Sequence, residues 1–293
     1  MDEQRLQRER VRTALRALSD RLGSQKKAGV AAGISSTTVS DIFRGKDENI
    51  SEAMWQKLDA YFLQGESTDT ATSAGWAEAE TRPSKEMTFA IDDCRANAYC
   101  TWIVAPAGTG KSTTARRYAS GVEGAVYVLC SEDMRRGDFL EACLRAVGEK
   151  SDSQALRGKL EDLIAALRKM RRPVLILDEA DKLLDSILLY CVTLYNKLEG
   201  HCGIVMLSTD YIKKRMRSGL VCNKRGFNEL HSRIGRKFFE TEKTSPADIV
   251  AVCLANGLTD ERAIDGVIKD AEGYDYDLRR VRKSVLKHLG VRN

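Results

Sequence analysis

Residues 101–104 read Thr-Trp-Ile-Val, and the next eight are Ala105-Pro106-Ala107-Gly108-Thr109-Gly110-Lys111-Ser112. An apolar strand that breaks into a glycine-containing turn ending in Gly-Lys-Ser constrains the fold more than any other stretch of the chain. Such a turn points successive backbone N–H groups inward, and the helix that follows adds those of its first turn, so the segment forms a concave anion site. The pattern asks for Gly at its first position and has Ala105. Gly108 and Gly110 still let the backbone approach a ligand closely. The expectation is a phosphate-binding loop in which Ala107, Gly108, Thr109, Gly110, Lys111, Ser112 and Thr113 surround the phosphates of ATP. Lys111 would place a point charge at the β- and γ-phosphates, and the Ser112 hydroxyl would ligate Mg²⁺.

Some sixty residues later comes Pro173-Val174-Leu175-Ile176-Leu177-Asp178-Glu179-Ala180. Four apolar residues running into two acids describe a strand buried on both faces, with carboxylates at its C-terminal end. Open α/β sheets bind their ligands at that edge. Asp178 is expected to hold Mg²⁺, and Glu179 to polarise the attacking water in hydrolysis.

The composition suits a soluble protein: 43% hydrophobic and 30% charged residues, with no apolar run of membrane-spanning length. The charged opening Met1-Asp2-Glu3-Gln4-Arg5 does not read as a secretory leader. The eight cysteines include no Cys-x-x-Cys pair and the three histidines are far apart. The expectation is therefore reduced thiols in a cytoplasmic protein, with neither a zinc site nor a disulfide framework. The net charge of +5 is unevenly spread, with ten Lys/Arg against three Glu between Tyr211 and Lys243.

Along the chain, a helix over 4–22 places Val11, Leu15, Leu18 and Leu22 on one face. In Gln25–Lys46 a short helix stops at Gly33, and Ser35 or Ser36 caps a second one. Small residues at 28 and 29, with Ile34, Val39 and Ile42 pointing inward, suit two helices crossing through a tight turn. This resembles the helix-turn-helix of phage-repressor-like domains. The resemblance puts Thr37, Thr38, Ser40 and Asp41 on the outer face of a recognition helix, with Arg44 and Lys46 near phosphates. Residues 51–64, with Trp55, Leu58, Tyr61 and Phe62, complete an all-α domain over 1–64. The polar run from Gly65 opens a linker, 65–84. A helix over 84–98 leads into strands and helices that alternate from 100 to 240, which implies a parallel sheet covered on both faces. Three helices follow, over about 245–256, 260–272 and 276–289.

The phosphate loop, the Asp-Glu strand, the polar strand end Ser208-Thr209-Asp210 and the small helical C-terminus together resemble the AAA+ ATPases. The resemblance implies a P-loop NTPase core over 85–243 and a helical lid over 244–293. It further implies that Thr209 helps position the attacking water. Arg233, with Arg236 as alternative, would reach the γ-phosphate held by the next protomer, and Arg279 would sense the nucleotide from the lid. With the N-terminal helix-turn-helix added, the chain resembles the B transposition protein family of phage Mu, through "AAGISSTTVSDIF", "APAGTGKS", "LILDEAD", "GIVMLSTD" and "FNELHSRIGRK".

What that implies is an ATPase of a mobile element or prophage, acting in the bacterial host cytoplasm. It would bind double-stranded DNA largely without sequence preference, polymerise on it as a homo-oligomer or helical filament with ATP, and recruit a transposase. Such binding needs backbone neutralisation. Arg135 and Arg136, after the second strand, and Lys213, Lys214, Arg215 and Arg217, after the strand ending at Ser208, are the candidate phosphate contacts. Two other readings stand beside it. A helicase loader would share the ATPase core and engage a different client. A nucleotide-switched helix-turn-helix regulator would read a defined operator and turn over little ATP.

Overall fold

The computed structural model describes residues 2–59 and 76–290. Residues 60–75 lie outside the described residues, and with them Tyr61, Phe62 and most of the expected linker; nor is the side chain of Leu22 described. The chain divides into two compact units, Met1–Trp76 with Glu141–Leu163, and Ala77–Leu140 with Ile164–Asn293.

In the first unit, α1 (Asp2–Leu22), α2 (Gln25–Ala32), α3 (Ser36–Phe43) and α4 (residues 52–59) enclose a core that includes Val11, Leu15, Ala28, Val39, Ile42 and Trp55. Gly33 ends α2 in the left-handed region at φ 66°, and the Ser35 side chain caps α3 by accepting the Thr38 N–H. The turn is tight enough to need glycine within the preceding helix. A Cβ on Gly29 would stand 2.9 Å from the Ile34 carbonyl oxygen and 3.2 Å from Val39 Cγ2. At the other end of α3, Arg12 donates to the Ile42 carbonyl at 3.0 Å and Arg16 to the Phe43 carbonyl at 3.4 Å. Two cations thus face the negative end of the helix dipole.

The second unit opens with α5 (Arg82–Asn97), whose first turn carries a Thr81/Ser84 capping box and a proline. Then come β1 (Cys100–Val104), α6 (Lys111–Gly121) and β2 (Ala125–Leu129), followed in the chain by α7 (Arg136–Ala146) and α8 (Leu156–Arg168). The rest is β3 (Val174–Asp178), α9 (Asp185–Leu198), β4 (Gly203–Ser208), α10 (Tyr211–Val221), α11 (Phe227–Arg233), β5 (Phe239–Glu240), α12 (Pro246–Ala255), α13 (Glu261–Glu272) and α14 (Leu278–His288). The strands form one parallel sheet in the order β2-β3-β4-β1-β5. Every residue of β3 and β4 is buried, as their unbroken apolar runs require. The helix after β3 starts only at Asp185, because residues 180–182 form a single 3₁₀ turn after the left-handed Glu179.

The register fixes where the chemistry sits. Val104 lies beside Ser208 and Glu240, and Leu129 beside Asp178. The C-terminal ends of β1, β3 and β4 are therefore level, and the loops leaving them share one edge. The three C-terminal helices join α5 through Asp248, which caps α12 and also accepts the Arg82 N–H at 2.6 Å. Seven of the eight free cysteines are buried and Cys222 is exposed. Among the described residues no helix is long and apolar enough to cross a membrane.

Candidate functional site

The loop after β1 turns through two left-handed glycines, Gly108 at φ 78° and Gly110 at φ 86°, and Lys111 opens α6. Lys111 Nζ donates to the carbonyls of Ala105 at 2.8 Å and Pro106 at 2.7 Å, and Thr109 Oγ1 donates to the Pro106 carbonyl at 2.9 Å. Burial pulls the Lys111 pKa below the ordinary lysine value; the carboxylates of Asp178, Asp181 and Asp210 oppose that shift and Arg279 adds to it. The ammonium thus lies within electrostatic reach of residues from β3, β4 and the helical C-terminus. Ser112 and Thr113 occupy the first turn of α6, next to this lysine.

Asp178, at the end of β3, is completely buried. Its carboxylate accepts the Tyr127 hydroxyl at 2.8 Å and the Glu179 N–H at 3.0 Å. Burial, and then Asp178 itself, push the Tyr127 pKa well above the usual tyrosine value, so this hydroxyl stays a donor. Glu179 is left-handed at φ 55°, and its carboxylate pairs with Lys182 at 2.6 Å. At the end of β4, Trp102 Nε1 donates to Ser208 Oγ at 2.8 Å, Ser208 Oγ donates to the Thr209 carbonyl at 3.1 Å, and Thr209 Oγ1 donates to Asp181 at 3.0 Å.

Among the described residues no three His, Cys, Asp or Glu side chains converge as a protein-only metal cage. Mg²⁺ shared with phosphates does not need one, because one or two carboxylates and a hydroxyl suffice. Buried Asp178 and Ser112 match that donor set.

From the C-terminal helices, the Leu278 N–H donates to the Gly108 carbonyl at 2.9 Å, and the Asp277 carboxylate accepts the Arg279 N–H at 2.7 Å. Arg279 is exposed in the first turn of α14. Arg233 lies elsewhere. Its guanidinium sits 5.4 Å from the centroid of the Tyr195 ring, on α9. Arg236 is exposed and left-handed at φ 57°.

The basic residues fall into two groups. Lys214 and Arg217 are exposed on α10, and Arg135 and Arg136 are exposed where α7 begins. Lys213, by contrast, pairs with Asp210 at 3.1 Å and Glu240 at 2.6 Å. Arg215 is 17% exposed; it donates to the carbonyls of Asp181 and Leu183, each at 2.7 Å, and pairs with Asp185. Its donors are engaged inside the fold, which is not the free phosphate contact the sequence suggested. On α3, Thr37 is exposed and Ser40 half-buried, the Thr38 hydroxyl shares a 2.8 Å hydrogen bond with Ser35 Oγ, and Arg44 is exposed. Asp181, Tyr127, Lys182 and Asp277 were not singled out in the sequence. Asp181 stood in plain view in "LILDEAD"; nothing in an alternating strand marks Tyr127.

The profile of the AAA domain matches residues 94–216. Among curated proteins the chain is similar to the Mu-like prophage FluMu DNA transposition protein B of Haemophilus influenzae. The two are 27% identical over 243 residues, 82% of this chain and 81% of that protein. Among solved structures, NtrX from Brucella abortus aligns with 79% of this chain at 14% identity and a TM-score of 0.45. The replication initiator DnaA bound to AMPPCP and single-stranded DNA aligns with 71% at 15% identity and a TM-score of 0.46. The chain spans 55% of the former structure and 60% of the latter.

Proposed function

We propose that this chain, which the AAA-domain match and the transposition-protein similarity support as an AAA+ ATPase of the Mu B family, is an ATP-dependent DNA-binding ATPase that assembles on target DNA and recruits a transposase. The observation that carries the ATPase reading is the convergence at one sheet edge of Lys111, buried Asp178, Glu179, Thr209 and Arg279, contributed by four separate segments.

In this reading the loop N–H groups and Lys111 bind the polyphosphate of ATP, and Asp178 with Ser112 holds Mg²⁺, whose charge would offset that of the phosphates. Glu179 accepts a proton from the attacking water once its carboxylate leaves Lys182. Thr209, fixed by Asp181, orients that water. Arg279 approaches the phosphates from the lid. Arg233 serves the site of the next protomer.

DNA is held through its backbone, by Lys214, Arg217, Arg135 and Arg136, with the helix-turn-helix adding Thr37, Ser40 and Arg44. A transposase is proposed as the client because the similar Haemophilus influenzae protein is a DNA transposition protein.

Negative-stain imaging on long random-sequence DNA with ATP, ADP or no nucleotide tests the assembly. Filaments with ATP alone are expected. Discrete particles at one site, indifferent to nucleotide, would replace this reading with that of an operator-binding regulator.

A further inference from the structure

Gly108, left-handed at φ 78°, has an acid from the helical C-terminus packed against its open side. A Cβ built on it would overlap the Asp277 carboxylate. The Asp277 side chain therefore lies directly against the backbone of the phosphate loop, on the Cβ side of Gly108. The same joint is closed by the Leu278 N–H, which donates to the Gly108 carbonyl at 2.9 Å. The Leu278 side chain continues the contact, since a Cβ on Gly110 would stand 3.6 Å from its Cδ1. The segment that delivers Asp277 is itself unusual. Asp275 at φ 51° and Tyr276 at φ 56° are consecutive non-glycine residues in the left-handed region. Each costs about 1–2 kcal/mol relative to ordinary backbone, so the connector persists only because its surroundings hold it.

An N-cap alone does not require this placement. Asp277 does cap α14, through the Arg279 N–H, but a cap has no need to press an ionisable carboxylate onto a loop that concentrates N–H dipoles and Lys111. We propose that Asp277 is the residue through which the helical C-terminus opposes nucleotide binding. Its negative charge, set against Gly108, repels the incoming polyphosphate, so that binding and release of this joint are coupled. Arg279, two residues on and within electrostatic reach of Lys111, carries the opposite sign. A shift of the α14 start that withdraws the acid while advancing the arginine would turn the joint from repulsive to attractive. This inference rests on the loop binding ATP, as proposed above.

The test uses the full-length chain and two single variants, Asp277→Asn and Asp275→Asn. Asparagine keeps the capping oxygen and nearly the same shape, so Asp277→Asn removes the charge and spares the cap. Asp275 is an exposed acid on the same connector and controls for net charge. Affinities for fluorescent ATP and ADP analogues are titrated for all three proteins, and amide hydrogen exchange is followed over residues 278–288 with and without nucleotide.

The expected result is that Asp277→Asn binds ATP about three- to tenfold more tightly, with the gain larger for ATP than for ADP, as removal of one like charge near a more highly charged ligand requires. Asp275→Asn should change affinity less than twofold. In the parental protein ATP should speed exchange at the start of α14 as the joint opens. Unchanged affinity in Asp277→Asn, with a parental protein that does bind ATP, would reduce Asp277 to a cap and overturn the inference. A parental protein that binds neither analogue would instead overturn the nucleotide site itself, and the inference with it.

Discussion

Lys111 is held half-buried by two loop carbonyls, a position in which an ammonium is costly unless dipoles and an anion face it. Lys111→Ala is therefore expected to weaken ATP binding on the order of 100-fold, the loss of two charge-assisted contacts. Titration with a fluorescent ATP analogue measures it. Glu179 asks a different question, because its carboxylate pairs with Lys182 and is free of any structural duty inside the core. Glu179→Gln should leave ATP affinity within a few-fold and lower hydrolysis by about 100-fold or more, as expected for loss of a general base. Phosphate release under saturating ATP decides this, and parental turnover would remove Glu179 from the catalytic role. Gly29 is the corresponding residue in the first unit. Alanine there gains about 1 kcal/mol of helix propensity but drives a methyl against the Ile34 carbonyl and Val39, so a net loss of about 1–3 kcal/mol is expected. Urea denaturation of the full chain, followed by tryptophan fluorescence, reads the difference.

At the scale of elements, α10 combines two roles that its sequence does not separate. Lys213-Lys214-Arg215 looks like one basic cluster. In three dimensions Lys214 faces outward, whereas Arg215 clamps residues 181–185, the turn that follows Glu179. Changing Lys214 and Arg217 to Ala together should reduce the slope of log affinity for DNA against log salt by about 1–2 and leave thermal stability nearly unchanged. Arg215→Ala should instead lower the melting temperature and slow hydrolysis, because two carbonyls and Asp185 lose their shared donor. A salt slope altered by Arg215→Ala with stability intact would reverse the assignment.

This pair shows what a sequence conveys. The strands and most helices were legible because apolar runs, glycines and capping residues are local signals, and the phosphate loop and the Asp178 strand were legible because their chemistry is contiguous. Arg215, Asp181 and Asp277 act through partners 28 to 169 residues away in the chain, and periodicity carries no trace of such pairings.

At the scale of the whole molecule, the proposal with the clearest consequence is that Arg233 serves the site of the next protomer. The Arg233 guanidinium lies over the Tyr195 ring of α9. In the proposed reading a neighbouring copy supplies, through Arg233, the additional cation that phosphoryl transfer needs as the γ-phosphate leaves. The consequence can be read by mixing two inactive proteins. Glu179→Gln lacks the base but keeps Arg233; Arg233→Ala keeps the base but offers its neighbour no arginine. Both are expected to bind ATP and so to join the same assembly. In an equal mixture on DNA about a quarter of the interfaces pair an intact Glu179 with an intact Arg233, and hydrolysis should return at those interfaces although neither variant turns over alone. If the mixture stays as inactive as its components, Arg233 does not act across the interface. If Arg233→Ala is active by itself, the same mixing repeated with Arg236→Ala tests whether the exposed arginine three residues on takes that place.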